Sequence, residues 1–242
     1  MSRSPAAAGA RVGFFGGTFD PVHSGHLQMA EAAQRACGLE RIYFVPAPRP
    51  QHKMPPMAAY IDRYAMLALA LERRPEWLPL NIPPTAARAT YSVDQIDWMR
   101  EHHAHEQVWF IAGADAFATL GSWRQYRKLL RLCNFAVLAR RGYSLNRVLS
   151  MLPPGAVEAV PVQGPLRLAG GRRLHWLADF SVPDSSTRVR RWLAAAQPSA
   201  AGDELTPPAV AEYARRAGLY RTKRHHSESG QTASRLYYVQ NH

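Results

Sequence analysis

The chain has few of the residues that mark several large classes of protein. Its 242 residues include only two cysteines, Cys37 and Cys133, so it has neither a disulfide framework nor a paired Cys-x-x-Cys motif for zinc or redox chemistry. We expect both thiols to be buried. No apolar run approaches the roughly 20 residues that a membrane-spanning helix needs, which argues against an integral membrane protein. Gly16 and Gly17 interrupt any signal-peptide core, so we expect a cytoplasmic protein.

Lysine is also scarce, although the chain is strongly basic. Lys and Arg number 30 against 18 Asp and Glu, a formal net charge of +12, and only three of the 30 are lysines, which leaves 27 arginines. Guanidinium groups suit phosphate and carboxylate partners. The cations form no contiguous basic helix and no aromatic-basic RNA-binding signature, so phosphorylated small molecules explain the excess as well as a nucleic acid does.

Short apolar runs alternate with amphipathic ones, which is the pattern of a parallel sheet with crossover helices. With 47% hydrophobic residues the chain can fill a core. The runs that we predict as strands are residues 12–15, 42–45, 78–82, 108–111, 135–139 and 174–177. The sequence therefore predicts an α/β fold of one domain, a Rossmann-like open parallel sheet with helices on both faces.

Helices are predicted between these strands and after the last one. They cover residues 25–37 up to Gly38, 62–73, 93–103, two pieces of 114–132 broken near Gly121, and 208–217 closed by Gly218. Residues 143–173 are rich in Pro and Gly and are predicted to form a variable surface segment. We expect a flexible N-terminus over residues 1–11, the folded domain over 12–220 and a disordered, basic polar tail over 221–242.

The loop after the first strand is the most informative stretch. It reads GGTFDPVHSGH over residues 16–26 and lies where an open α/β sheet binds ligands, yet it is neither a GxGxxG fingerprint nor a P-loop. Gly16 and Gly17 allow a close backbone approach to a ligand, and the N–H groups of the next helical turn attract an anion. His23 and His26 are three residues apart and can converge on one phosphate. The alternative is that both histidines cap the helix.

A second predicted helix start carries hydroxyl and guanidinium groups. Ser185, Ser186 and Thr187 lie beside its unpaired N–H groups, and Arg188 and Arg190 follow within the first turns. This pattern predicts a second anion site, with an ordinary N-cap and solvated arginines as the alternative.

The strand that ends near residue 111 is followed by a glycine and a carboxylate. Gly113 allows a close approach, and Asp115 can accept ribose hydroxyl groups or cap the next helix.

These segments together resemble a known family. The stretch GGTFDPVHSGHL resembles the (H/T)xGH signature of the nucleotidyltransferase superfamily and is most similar to that of bacterial nicotinate-nucleotide adenylyltransferases. FIAGADAFATLGSW is similar to the family's IxGxDxxxxxxxW segment, DSSTRVR to its ISxTxxR segment, and PPAVAEYARRAGLY to its C-terminal helix. Two features depart from the pattern: Asp184 stands where the family has Ile, and an acidic residue before its SYT segment is missing.

The resemblance implies an adenylyltransferase of NAD biosynthesis. Its substrates would be ATP and nicotinic acid mononucleotide, its products deamido-NAD and pyrophosphate, and Mg²⁺ would be bound mainly through ATP. The implied catalytic residues are His23, His26 and Arg190. The implied ATP-binding residues are Gly16, Gly17, Thr18, Phe19, Gly113, Asp115, Ser186 and Thr187.

The resemblance also implies a mononucleotide site. Trp123 would stack on the pyridine ring, and Tyr91 and Ser92 would receive the nicotinate carboxylate, with Ser92 where the family has Thr. His52 and Lys53 match the family's basic loop over the active site. Arg188 occupies a variable position of its motif and is expected to face solvent.

Other functions are also compatible with the sequence. The acceptor could be nicotinamide mononucleotide or another phosphate such as phosphopantetheine, although the segment at Trp123 argues against the latter. From other classes, the chain could be a catalytically idle nucleotide sensor or a basic nucleic-acid-binding protein. The intact set of His23, His26 and Arg190 disfavours the idle sensor, and the oligomeric state is not predicted.

Overall fold

The computed structural model describes residues 9–48, 55–82, 91–102, 107–178, 180, 185–195 and 204–221. The strands in this part of the chain are β1 (Arg11–Gly17), β2 (Arg41–Pro46), β3 (Trp77–Pro79), β4 (Gln107–Gly113), β5 (Asn134–Leu138), β6 (Val157–Ala159), β7 (Leu166–Leu168) and β8 (Arg173–Leu177). The helices are α1 (Ser24–Cys37), α2 (Tyr60–Leu71), α3 (Ser92–His102), α4 (Ala114–Phe117), α5 (Tyr126–Leu132), α6 (Leu145–Met151), α7 (Ser186–Ala194) and α8 (Pro208–Arg216). The predicted break near Gly121 is confirmed, and it includes a 3₁₀ turn, Leu120–Ser122.

The described strands form one sheet in the order β3-β2-β1-β4-β5-β8-β7-β6. The strands from β3 to β8 pair in parallel, whereas β7 pairs antiparallel to β8 and β6 antiparallel to β7. The chain moves outward from β1 to β3 and then returns to place β4 beside β1. The strand order therefore reverses between β1 and β4, and ligands of open α/β sheets bind at the carboxyl ends of the strands at such a point.

Two apolar layers cover the two faces of the sheet. Successive strand residues point to opposite faces, so Phe14 packs into one layer and Phe15 into the other. The first layer includes Ile96 of α3 and Leu129 of α5. The second includes residues of α1, α2, α7 and α8. This arrangement confirms the predicted Rossmann-like sheet with helices on both faces, and Cys37 and Cys133 are buried free thiols, as expected.

The helix boundaries agree with the sequence pattern within two residues at most ends. Helix α1 ends at Gly38, which adopts the left-handed conformation at φ 61° and donates its N–H to Gln34 O. Gly218, just after α8, also has positive φ, at 67°. Both glycines therefore act as the predicted helix stops.

The prediction that residues 143–173 form a variable surface segment was wrong. Within residues 143–173, expected to be a variable surface segment, the chain forms helix α6 and the antiparallel strands β6 and β7, which extend the sheet. Strands of three residues are too short to show a period among so many Pro and Gly residues. β3 is also shorter than predicted and ends at Pro79.

Other predictions concern residues that lie outside the described part of the chain. These are the flexible start of the N-terminus over residues 1–8 and nearly all of the tail that begins at residue 221. Among the helices that are described, none combines the length and the apolar character needed to cross a bilayer.

Candidate active site

A cavity of about 450 Å³ opens at the carboxyl ends of β1, β4 and β5. Its walls come from the loop after β1, the segment before α2, the ends of β4 and β5, and the start of α7. The lining residues are Thr18, Asp20, His23, Gly25, His26, Met29, Pro55, Pro56, Met57, Gly113, Leu138, Ala139, Arg140, Phe180, Ser185, Ser186, Thr187 and Arg190. The three predicted catalytic residues thus share one cavity, together with four of the predicted ATP-binding residues.

His23 and His26 face each other at the start of α1. His23 is the N-cap residue, with an extended backbone at φ −146°, and its N–H donates to His26 Nδ1 at 3.2 Å. The two imidazole rings lie with their centroids 3.7 Å apart and an angle of 32° between their planes. The capping role that was the alternative for these histidines is therefore present, and it coexists with their place on the cavity wall.

The protonation of both rings follows from this geometry. Burial and, to a smaller extent, the nearby Arg140 guanidinium together lower the pKa of His23 to about 4, so the ring is neutral at pH 7. Because His26 Nδ1 accepts a hydrogen bond, a neutral His26 carries its proton on Nε2. The pair therefore offers N–H donors rather than permanent charges.

The start of α7 forms the opposite wall and is fastened to the β1 loop. Ser185 is the N-cap, and its hydroxyl oxygen accepts the Arg188 N–H at 3.3 Å. The Ser186 hydroxyl donates to Pro21 O at 3.0 Å. Arg188 is exposed, as expected. The predicted helix start is confirmed, and the hydroxyl hydrogen of Ser186 is already used to join the two walls.

Arg190 places a guanidinium at the cavity from the first turns of α7. Its Nη1 donates to the main-chain oxygen of Asp20 at 2.6 Å, and its Nη2 donates to Thr187 Oγ1 at 3.1 Å. Since Thr187 Oγ1 accepts this bond, its own hydroxyl hydrogen stays available for another acceptor. Arg190 and Thr187 therefore form one unit of N–H and O–H donors beside the histidines.

Asp20 joins the walls of the cavity, and sequence reasoning missed it. The side chain is buried and accepts N–H bonds from Met57 at 2.8 Å and Ala58 at 3.2 Å and the hydroxyl of Tyr220 at 2.7 Å. The motif itself contained the signal, because an acidic residue in a buried loop must find donors. Its partners lie 37 to 200 residues away in sequence, so the pattern could not identify them.

A buried arginine lies on the other side of this loop. Arg63 of α2 is 1% exposed and donates to Thr18 O at 2.6 Å and to Ala47 O at 2.9 Å. Burial lowers its pKa, and the charge of Asp20 acts in the opposite direction. Arg63 therefore holds the loop after β1 to the end of β2 and supplies a countercharge for Asp20.

A further ion pair lies at the ends of β4 and β5. Arg140 Nη1 lies 2.7 Å from Asp115 Oδ2, and Arg140 lines the cavity. The N-cap of α4 is Gly113 and Asp115 occupies the second helical position, so the alternative role of Asp115 as the cap of this helix does not hold. A Cβ on Gly113 would lie 2.6 Å from Asp115 Oδ1, so the glycine is what allows this carboxylate to turn back toward the strand.

Gly16 and Gly17 make room for aromatic rings rather than for the cavity directly. A Cβ on Gly16 would lie 3.0 Å from the Phe14 ring, and one on Gly17 would lie 2.9 Å from the Phe19 ring. Phe19 has φ 48°, is buried, and packs edge-on against His26 with ring centroids 5.0 Å apart. Phe19 supports the His26 ring, and the contact of Gly16, Gly17 and Phe19 with ATP stays a prediction.

Comparison with known proteins decides the family. A family model for cytidylyltransferase-like proteins matches residues 14–192. A relative from Pelobacter propionicus named "Probable nicotinate-nucleotide adenylyltransferase" is 37% identical over 216 residues, which cover 87% of this chain and 98% of the relative. A relative of the same name from Moorella thermoacetica is 36% identical over 215 residues, covering 88% of this chain and 93% of the relative. The chain belongs to the nicotinate-nucleotide adenylyltransferase family.

Membership of this family confirms the resemblance drawn from the GGTFDPVHSGHL stretch and the prediction of a nucleotidyltransferase. Among solved structures, Plasmodium falciparum nicotinic acid mononucleotide adenylyltransferase complexed with NaAD matches with a TM-score of 0.66 and 16% identity, covering 87% of this chain and 97% of that one. At that identity the likeness concerns the fold, and it confirms the predicted Rossmann-like architecture.

Of the residues that the family resemblance assigned to the mononucleotide, Tyr91, Ser92 and Trp123 lie on the α3 side of the sheet. The Trp123 indole packs against Phe110 with ring centroids 5.4 Å apart, and its Nε1 donates to Thr119 Oγ1 at 3.2 Å. The guanidinium carbon of Arg124 lies 4.6 Å from the centroid of the Tyr91 ring. Trp123 is half-buried in this adenylyltransferase: part of its indole packs against the core, and the rest is exposed at the surface.

Of the other residues assigned to the mononucleotide, the structure describes Ser92 but not His52 and Lys53. Ser92 is the first residue of α3 and lies beside Tyr91, as the family's SYT-like segment requires. None of Tyr91, Ser92 and Trp123 belongs to the described lining of the cavity around the histidines. His52, Lys53 and Asp184 lie outside the described residues.

Proposed function

We propose that this protein transfers the adenylyl group of ATP to nicotinic acid mononucleotide, giving deamido-NAD and pyrophosphate in NAD biosynthesis. One observation carries the proposal: His23, His26 and Arg190 converge on a single cavity at the point where the strand order reverses. The relatives from Pelobacter propionicus and Moorella thermoacetica, which are 37% and 36% identical to this chain over the aligned residues, bear the name of this activity.

The reaction is a direct displacement at phosphorus. An oxygen of the mononucleotide's 5′-phosphate forms a bond to the α-phosphorus of ATP, and the bond from that phosphorus to the α–β bridging oxygen breaks. Pyrophosphate leaves with the electron pair. The attacking phosphate is already anionic, so neither a general base nor a covalent enzyme intermediate is needed. The protein's task is to position the two phosphates and to balance the charge that builds up.

The two histidines act on the α-phosphate in this proposal. His26 donates from Nε2. His23 is kept neutral by burial, so its ring donates without adding a positive charge beside His26. Neutral donors strengthen their hydrogen bonds as negative charge grows on the phosphate oxygens. The aromatic rings of Phe15 and Phe19 behind His26 fix the direction in which it donates.

Arg190 and the first turn of α7 receive the pyrophosphate. Arg190 supplies the permanent positive charge, and Thr187 supplies its hydroxyl hydrogen. The Ser186 hydroxyl hydrogen is bonded to Pro21 O, so we assign the contact of Ser186 to its backbone N–H, which has no acceptor within the first helical turn. Charge near the leaving group and N–H donors near the α-phosphate therefore come from opposite walls of one cavity.

The other assignments rest on the family resemblance and stay part of the proposal. The remaining contacts to ATP come from Gly16, Gly17, Thr18, Phe19, Gly113 and Asp115. Asp115 would accept ribose hydroxyl groups after its ion pair with Arg140 opens or shifts. Contacts to the mononucleotide come from His52, Lys53, Tyr91, Ser92 and Trp123.

Magnesium enters this proposal as part of the nucleotide. A divalent metal is expected for nucleotidyltransferases, and within the described lining of the cavity the carboxylate is that of Asp20. Both of its oxygens already accept hydrogen bonds from Met57, Ala58 and Tyr220, so this donor set fits a metal held by triphosphate oxygens better than a protein cage. Bound there, Mg²⁺ would neutralise charge on the phosphates.

Residues 12–220 form the catalytic domain in this proposal, and we place the enzyme in the cytoplasm, where ATP and mononucleotides are available.

The test is to identify the product. The full chain is incubated with ATP and Mg²⁺ and, separately, with nicotinic acid mononucleotide, nicotinamide mononucleotide and phosphopantetheine, and products are identified by mass. We expect deamido-NAD to form, with a kcat/KM for the acid well above that for the amide. NAD as the dominant product would assign the amide instead, and no dinucleotide with either acceptor would contradict the proposal. The His26→Ala variant serves as the control for contaminating activity.

A further inference from the structure

A phenol and a carboxylate meet beside the arginine of the site. Asp20 Oδ1 accepts the Tyr220 hydroxyl at 2.7 Å and the Ala58 N–H at 3.2 Å, and Oδ2 accepts the Met57 N–H at 2.8 Å. Asp20 is 4% exposed and Tyr220 7%. Since water competes little for buried hydrogen bonds, these contacts fix the direction of the carboxylate.

Arg190 lies against Asp20 without forming a close ion pair with its carboxylate. Nη1 donates to the main-chain oxygen of Asp20 at 2.6 Å, whereas its distance to Oδ2 is 3.9 Å. Arginine and carboxylate groups normally prefer two parallel hydrogen bonds. Within the described residues, the hydrogen bonds to the Asp20 carboxylate come from uncharged donors, and Arg63 supplies a countercharge from a distance. Arg190 Nη1 therefore donates to the main chain of Asp20 and not to its carboxylate, so the guanidinium is not engaged by that carboxylate through a direct hydrogen bond.

The backbone of Tyr220 indicates that its side chain is held in place at some cost. Its φ is 62°, in the left-handed region that bulky residues rarely adopt. Residues in such conformations persist where the surrounding contacts determine them, often near functional sites. Tyr220 is held by its hydroxyl bond to Asp20 and by packing in the second apolar layer, and burial together with that bond raises the pKa of the phenol.

We propose that Tyr220 is a positioning residue of the active site: its hydroxyl holds the Asp20 carboxylate away from Arg190 and keeps the arginine's charge available for pyrophosphate. This inference rests on the proposed function only for the identity of the ligand. Without the hydroxyl, Oδ1 loses a donor, and the carboxylate can turn toward Arg190 to form the ion pair that it lacks now. The triphosphate then has to displace that carboxylate.

The test compares Tyr220→Phe with the wild-type full chain. Steady-state kinetics give the KM for ATP and for the mononucleotide, and titration calorimetry gives the Kd of inorganic pyrophosphate. We expect the KM for ATP and the Kd for pyrophosphate to rise about three- to tenfold, since one charge-assisted contact is weakened rather than removed. The KM for the mononucleotide should not change. A general loss of folded structure would instead affect both substrates alike.

Tyr213→Phe is the matched control. The Tyr213 hydroxyl donates to Asp62 Oδ1 at 2.9 Å, so it makes the same kind of bond from the same C-terminal region, but neither residue lines the cavity as described. This variant should keep the pyrophosphate affinity of the wild type. Unchanged affinity in Tyr220→Phe overturns the inference, and an equal loss in both variants does so too.

A double substitution tests the mechanism. In an Asp20→Asn background, Tyr220→Phe should have no further effect on pyrophosphate binding, because no carboxylate remains to approach Arg190. A full additional effect in that background contradicts the inference. If Asp20→Asn does not fold, the comparison of the two phenylalanine variants decides alone. Calorimetry needs no turnover, so failure of the proposed function would appear in the wild-type product and failure of this inference in the pyrophosphate affinity.

Discussion

The imidazole rings of His23 and His26 lie with their centroids 3.7 Å apart, and the N–H of His23 donates to His26 Nδ1 at 3.2 Å. Two imidazolium ions at this distance would repel each other, so the arrangement requires that the rings not both be protonated. Burial and Arg140 keep the pKa of His23 at about 4. The site therefore combines neutral N–H donors on one wall with the charge of Arg190 on the other.

This pairing predicts a pH-dependent stability. The pKa of His23 is lowered from 6.5 to about 4 on folding, so between these values the unfolded chain binds a proton that the folded protein does not. The stability that the neutral, buried His23 contributes is complete above about pH 6.5. It is lost as the pH falls toward 4, and the loss is of the order of 3 kcal/mol at most. Urea unfolding at several pH values measures it.

The matched variant for that experiment is His23→Asn, because asparagine is a good N-cap and does not titrate. Its free energy of unfolding should fall less steeply between pH 6.5 and 4 than that of the wild type. Parallel pH profiles for the two proteins would show that His23 is not buried in its neutral form.

Substitution of His26 tests the catalytic donors. His26→Ala should lower turnover about 10²- to 10³-fold, because a donor aimed at charge that develops in the transition state is lost. Pyrophosphate release measures turnover, and circular dichroism checks that the fold is retained. The control is His102→Ala, which changes an exposed histidine that stacks on Trp98 at the end of α3. Near-full turnover in His26→Ala would remove this residue from the mechanism.

Two arginines of the same helix separate charge at the site from charge on the surface. Arg190→Ala should lower kcat/KM for ATP about 10²- to 10³-fold, since it removes the permanent cation beside the leaving group. Arg188→Ala alters an exposed position two residues earlier and should leave the kinetics close to those of the wild type. Equal losses in both variants would mean that the net charge of the protein matters rather than the position of Arg190.

The mononucleotide site is tested through Trp123. Trp123→Leu should raise the KM for the mononucleotide about three- to tenfold through lost ring stacking, while the KM for ATP stays the same. Because Trp123 also packs against Phe110, the melting temperature is measured in parallel. Trp98→Leu alters another half-buried tryptophan of the same apolar layer and should leave both KM values unchanged. A rise in the KM for ATP alone would reassign Trp123.

Much of the fold could be predicted because its parallel strands are buried on both faces. The runs around Phe14, Phe44 and Phe110 are continuously apolar, and the glycines Gly38 and Gly218 end their helices by adopting positive φ. Strands β6 and β7 could not be predicted. They are three residues long and lie at the edge of the sheet. They pair antiparallel to each other and are joined without a crossover helix, so the alternation of strands and helices that reveals a parallel sheet is missing.

The site divides in a similar way between local and distant relationships. His23 with His26 and Ser185 with Arg188 are three residues apart, so helical geometry alone brings each pair together. Asp20 meets Arg190 and Tyr220 across 170 and 200 residues, and no local pattern gives such a partner. The sequence predicts that Gly16 and Gly17 let a ligand approach the backbone. It could not show that their missing Cβ atoms leave space for the rings of Phe14 and Phe19.

Transfer of labelled phosphorus tests the central claim most directly. The full chain is incubated with Mg²⁺, nicotinic acid mononucleotide and ATP that carries its label on the α-phosphorus, in parallel with ATP labelled on the γ-phosphorus. We predict that the α-label appears in a dinucleotide with the mass of deamido-NAD and the γ-label in pyrophosphate, and that His26→Ala and Arg190→Ala slow both. Release of the γ-label as inorganic phosphate, or a dinucleotide without the α-label, would contradict the account.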